Sequence, residues 1–199
     1  MSYGFLDIAT TPSVRQAQRD NGSAGYWSDF GGHREFDRFT DAETQFIAER
    51  DSFYMATVSE TGWPYVQHRG GPKSFLRVVD DRTLAFADYR GNRQYISLGN
   101  VTRDDRVALI FMDYPNRARL KVLARVTVAA QDQYPDVVLE PGAKIERVFV
   151  LRVEGFDWNC PQHITPRYTE DEIADILGPR IAALEAELAR LKGQTSEPR

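Results

Sequence analysis

One cysteine, Cys160, and three histidines, His33, His68 and His163, are all that occur in 199 residues. The lone cysteine excludes an internal disulfide and suits a reducing cytoplasm. So few scattered Cys and His residues give none of the paired spacings of a zinc site, and no metal is expected. Long apolar runs are also missing, and nothing approaches the roughly 20 residues needed to cross a bilayer. The start, Met1-Ser-Tyr-Gly-Phe-Leu-Asp7, lacks the basic and apolar regions of a secretory leader, so a cytoplasmic chain is expected. Neither sign of charge dominates: 25 Lys and Arg face 29 Asp and Glu, with a net charge of −4. That balance argues against general nucleic-acid binding. No Gly-x-Ser-x-Gly elbow and no P-loop is present.

What is there reads as one sizeable core with appendages, at 42% hydrophobic and 27% charged residues. Residues 1–39 form a polar, glycine-rich arm, irregular apart from a short helix near Pro12 to Arg19. Its aromatics Tyr26, Trp27, Phe30 and Phe36 are expected to pack on the core, and His33 to lie at the surface. Thr40-Asp-Ala-Glu43 matches a capping box and opens a helix of about ten residues. Residues 40–155 then make the main domain. Runs rich in β-branched and aromatic residues predict strands at Phe53–Ser59, Tyr65–Arg69, Phe75–Val79, Thr83–Asp88, Val107–Asp113, Leu120–Ala129 and Glu146–Gly155. Tight links at Glu60-Thr-Gly62 and Asp80-Asp-Arg82 make antiparallel hairpins. Six or seven such strands with one helix, Arg93 to Val101, point to a mainly β fold, an antiparallel barrel with flanking helices. Gly99-Asn100 suits that helix's C-terminus.

Residues 156–199 carry a second capping signal, Thr169-Glu-Asp-Glu172, and a helix beyond it. Leu177, Ile181, Leu184, Leu188 and Leu191 alternate by four and three, as a heptad seam does. Pro179 is expected to restart this helix, and Gly193 to Arg199 to form a disordered end. The apolar stripe fits either packing on the chain's own barrel or pairing with a partner helix.

Two segments carry chemistry. Phe86-Ala-Asp-Tyr-Arg-Gly-Asn-Arg-Gln-Tyr95 is a strand that ends in a polar turn and runs into a helix start. Backbone N–H groups and helix dipole there, with Arg90 and Arg93, suit a phosphate. The same segment alone also reads as a solvated corner. In Gly62-Trp-Pro-Tyr-Val-Gln-His-Arg-Gly-Gly-Pro72, Tyr65, Gln67 and Arg69 share one strand face, and Val66 and His68 the other. Gly70 and Gly71 allow close approach of a ligand, although a polar barrel rim would look similar. Cys160 reads as a small buried side chain rather than a nucleophile.

These two segments, with Asp113-Tyr-Pro-Asn-Arg-Ala-Arg-Leu-Lys121, resemble the pyridoxamine 5'-phosphate oxidase-like family of flavin-binding split barrels over residues 40–155. Within it the tail Trp158-Asn-Cys-Pro-Gln-His-Ile164 looks most like an uncharacterised bacterial branch. The resemblance implies a homodimer with flavin mononucleotide (FMN) sites at the subunit interface, a small-molecule substrate and redox activity. Asn92-Arg93-Gln94 stand where the family has Ser-Arg-Lys for the phosphate, so one cation is replaced by an amide. Arg69, Arg119 or Lys121 is expected to supply the missing charge. Gln67, His68, Arg69 and Gly70 are expected along the ring system. The substrate-binding Arg and His of the true oxidase are not recognisable, and Gln162 and His163 stand on a different motif. The substrate is therefore an unidentified small molecule. A flavin- or haem-binding module without turnover is the alternative, with His68 or His163 as axial ligand.

Overall fold

The computed structural model describes residues 4–27, 36–137, 144–158 and 161–195. They fall into two units, residues 1–113 with 118–161, and residues 114–117 with 162–199. His33, Phe30, Asn159 and Cys160 lie outside the described residues.

In the first unit, β1 (Ser52–Val58), β2 (Pro64–Gly70), β3 (Leu76–Asp80), β4 (Thr83–Tyr89), β5 (Arg106–Asp113), β6 (Ala118–Ala129) and β7 (Ile145–Trp158) form one sheet. Its order is β2-β1-β5-β6-β7-β4-β3, and every neighbouring pair is antiparallel. All seven expected strands are present, and the split-barrel fold is as expected.

Alternation along the strands puts Phe53, Met55, Phe86, Leu109, Phe111, Leu120, Val122, Phe149 and Leu151 into one core. Phe53 stacks on Phe75 at 5.5 Å and meets Phe86 edge-on at 5.3 Å, so the two ends of the sheet close around it. Each buried phenylalanine contributes roughly 1.5–3 kcal/mol. No ladder joins β2 to β3 or β4 among the described residues. Because β3 starts at Leu76 opposite Phe86, the β4 edge beyond it, Ala87 to Tyr89, has no strand partner on that side. That split is where the site lies.

The helices correct several expectations. The arm holds α1 (Phe5–Ala9), α2 (Pro12–Asp20) and α3 (Ala24–Trp27); α2 is the expected helix, and α1 and α3 stand where irregular chain was expected. The arm packs through Phe36, 5.7 Å from Phe156, while Tyr26 is exposed. A Cβ on Gly155 would meet the Phe5 backbone nitrogen at 2.3 Å, so only glycine lets α1 lie against β7. After Thr40, α4 spans Asp41–Ala48. Helix α5 is Ile96–Arg103, starting three residues later and ending two later than the sequence suggested. The reason is local: Arg93 and Tyr95 both take positive φ (65° and 53°), which postpones the first helical turn. Asn100 is not a C-cap but a mid-helix anchor, its amide donating to buried Thr57 at 2.9 Å.

In the second unit α6 runs Glu170–Thr195 with Pro179 inside it, so the proline does not restart the helix and the end stays helical through Thr195. Reciprocal bonds of the Thr169 and Glu172 backbone N–H groups with each other's side chains, 2.7 and 3.2 Å, cap it as expected.

Candidate functional site

Helix α5 is held against the barrel from three directions. Asn100 reaches Thr57 on β1, Ser97 Oγ donates to Gln67 Oε1 on β2 at 2.9 Å, and Val101 is buried. Those ties aim its N-terminus at the split, where a cavity of about 180 Å³ opens between β2, the end of β4, the 91–95 loop and Glu146 of β7. Tyr95 occupies the N-cap position but makes no capping hydrogen bond. The first-turn residues Ile96, Ser97 and Leu98 all line the cavity, so a helix start without a capping side chain faces it. Such a terminus favours an anion through its N–H groups and dipole.

Side chains enlarge that preference. Arg69 Nη1 bridges the split to Asp88 Oδ1 at 2.7 Å, and Arg147 lies 3.6 Å from the other Asp88 oxygen. Cross-strand pairing sets Arg147 directly opposite Asp88. Glu146 accepts from Arg147 at 2.8 Å and from the Tyr95 hydroxyl at 3.0 Å, with Arg90 at 3.8 Å. Three arginines, Arg69, Arg90 and Arg147, thus meet two carboxylates. The carboxylates do not use up the guanidinium donors: Arg69 Nε and Arg147 Nη1 are buried without a hydrogen-bond partner among the described residues. Arg93 is exposed on the cavity wall and has no ion-pair partner among those residues. A buried donor without an acceptor is costly, and of these two arginines Arg69 lines the cavity. The residues present fit the phosphate end of a nucleotide.

The structure gathers some of the expected residues and separates others. Gln67, Arg69, Asn92, Arg93 and Gln94 line the cavity. Asn92 and Gln94 partly engage each other, with Gln94 N donating to Asn92 Oδ1 at 3.1 Å. His68 lies on the other face of β2, with its ring 5.3 Å from that of Tyr54, and is not in the cavity lining. Gly70 ends β2 against the His68 ring. Arg119 and Lys121, on β6, are not cavity-lining; Lys121 pairs with Asp157 at 2.9 Å and covers the Phe5 ring. Arg69 is at the site, but Asp88 already takes up part of its charge. Gln162 and His163 belong to the second unit, where His163 has a φ of 64°.

Asp88, Tyr95, Ser97, Glu146 and Arg147 were missed. Asp88 and Tyr95 flank the basic turn and could have been flagged for that alone. Arg147 carries no local signal, because its role comes from pairing with a strand 59 positions away. Among the described residues no group of three metal-ligating side chains exists, and no helix is long and apolar enough to cross a membrane.

A model of the family described as pyridoxamine 5'-phosphate oxidase matches residues 39–156. No curated protein matches the chain. Among solved structures, a candidate pyridoxamine 5'-phosphate oxidase of Lactobacillus delbrueckii is 24% identical, with TM-score 0.49, over 61% of this chain and 94% of its own. An FMN-binding protein of Syntrophomonas wolfei is 12% identical, with TM-score 0.46, over 74% and 95% of the two chains. HutZ, the haem storage protein of Vibrio cholerae, is 14% identical, with TM-score 0.40, over 60% and 94%.

Proposed function

The chain belongs to the pyridoxamine 5'-phosphate oxidase family, and from that premise we propose that it is an FMN-binding oxidoreductase acting on a small molecule. The observation that carries this reading is the cavity at the split, where an uncapped helix start meets Arg93 and Arg69, the latter with an unused donor. The Ile96, Ser97 and Leu98 backbone and Arg93 would hold the phosphate. Arg69 and Arg147, fixed by Asp88, add positive potential behind it. Gln67 has its oxygen occupied by Ser97, which leaves its amide N–H groups as the donors on the β2 side. Bound flavin supplies the redox chemistry itself, and the chain binds, orients and shields. A haem reading finds less support, since no histidine among the described residues lines the cavity.

A second copy of the chain completes the proposed site. The cavity of about 180 Å³ is smaller than the ~300–1,000 Å³ usual for small-molecule sites. Beside it, edge strand β2, its neighbour β1 and the turn between them expose Tyr54, Val58, Trp63 and Val66, an apolar surface suited to burial between copies.

Titration with FMN and with riboflavin, which lacks the phosphate, tests the reading. FMN should bind far more tightly, and Arg93→Ala should weaken FMN by roughly ten- to a hundredfold, on the order of 1.5–3 kcal/mol. Riboflavin affinity should barely change. A protein that takes up neither compound, or an Arg93→Ala variant that binds FMN normally, refutes the placement.

A further inference from the structure

We infer that α6 is one strand of a two-stranded coiled coil whose other strand is α6 of a second copy of this chain. Ala174, Ile181 and Leu188 take the a positions of a heptad, and Leu177, Leu184 and Leu191 the d positions. The five large residues of this seam are 46–62% exposed, an arrangement that a 26-residue helix does not keep in water without a partner. Ile173 widens the seam from a g position, and Ile176 is the one large apolar residue that falls off it. Pro179 and Ala186 take the f positions, farthest from a partner, so the proline ring faces solvent.

Charge identifies the partner. In a parallel pair each g residue faces the e residue five positions on in the other helix. Here that sets Arg180 against Glu185 and Glu187 against Lys192, both attractive, and symmetry doubles them. An antiparallel pair with the same six layers opposed sets Arg180 against Glu187 and Lys192 against Asp171, also attractive. The seam is thus complementary to a second copy of itself in either direction. Glu187 is also bonded by Arg190 of its own helix at 2.7 Å, which holds it on the g flank.

About two and a half heptads are short for an independent coiled coil. The inference therefore rests on the two-chain barrel proposed above, which would raise the effective concentration of one helix near the other to the millimolar range.

The test uses the full chain with Cys160→Ser and one new cysteine. Under mild oxidation Leu177→Cys should give a covalent dimer with itself in a parallel pair or with Leu188→Cys in an antiparallel one, and Ala186→Cys should react in neither, because a disulfide needs Cα atoms within ~7 Å. Arg180→Glu, which loses Glu185 in one direction and Glu187 in the other, should slow the seam cross-link roughly threefold or more. Failure of the seam cysteines to cross-link in either pairing, or equal reaction of Ala186→Cys, overturns the inference. Light scattering separates it from the barrel reading. A single-chain mass for the wild type defeats both, whereas a two-chain mass without seam cross-links defeats the coiled coil alone. Leu184→Glu/Leu188→Glu should abolish the cross-link and keep the two-chain mass.

Discussion

Two of the barrel's buried carboxylates, Glu43 and Asp88, are built to opposite ends. Glu43 is fully enclosed. Its Oε1 accepts from the Trp158 indole at 2.7 Å, and its Oε2 from the Thr40 backbone and hydroxyl at 2.9 and 2.7 Å. These donors lock α4 to the end of β7, with Trp158 packed edge-on against Phe46 at 4.7 Å. The Asp88–Glu146 centre is ringed by arginines instead and opens onto a cavity, with guanidinium nitrogens left over. Surplus donors at the second centre, and an acceptor with its donors in place at the first, separate a site that can take a ligand from a joint that cannot. Burial alone would not have told them apart.

If that distinction is right, breaking the closed centre should damage the fold and leave ligand recognition alone. Glu43→Ala strands the Trp158 indole and the Thr40 donors in the interior. It should destabilise the chain by about 3–5 kcal/mol in denaturant unfolding, while the folded fraction binds FMN normally. Near-neutral stability, or lost FMN binding by a folded protein, would erase the contrast.

Breaking the open centre should do both, each more mildly. Arg69→Leu removes the bridge across the split but leaves Arg147 near Asp88. A stability loss of about 2–3 kcal/mol is expected, together with FMN binding at least about tenfold weaker. Loss of stability with unchanged FMN affinity would make this centre a second structural joint.

The same contrast shows what could be read from the chain. Strand positions were legible because β-branched and aromatic runs, broken by short polar turns, are local signals. The basic turn that lines the cavity was legible for the same reason. The start of α5 was not, since nothing in Asn92-Arg93-Gln94-Tyr95 announces two left-handed residues in a row of non-glycines. Nor were the partners of Asp88 and Glu43. Arg69 is 19 positions from Asp88, and Trp158 is 115 from Glu43, so both centres exist only once the sheet has closed. His68 shows the opposite case: period-two alternation placed it correctly on the face away from Gln67, and the resemblance alone suggested a flavin contact.

A third carboxylate sharpens the comparison by exposing the partner arginine. Half-buried Asp104 accepts from Arg106 Nε at 2.7 Å and Nη2 at 2.5 Å, as close a pairing as any in the site, but Arg106 lies in solvent. Hydrogen bonding from the Arg106 side chain and backbone pulls its carboxyl down to about 2. A lowered value in the folded chain means that the pair stabilises fully above the unfolded carboxyl's range near ~4. The contribution fades as pH falls toward 2. Water screens an exposed pair, so Asp104→Asn should cost less than about 1 kcal/mol at neutral pH, and the difference from wild type should vanish in unfolding curves near pH 2. A loss at neutral pH as large as that of Arg69→Leu would mean that the number of contacts, and not enclosure, sets what a carboxylate contributes in this barrel.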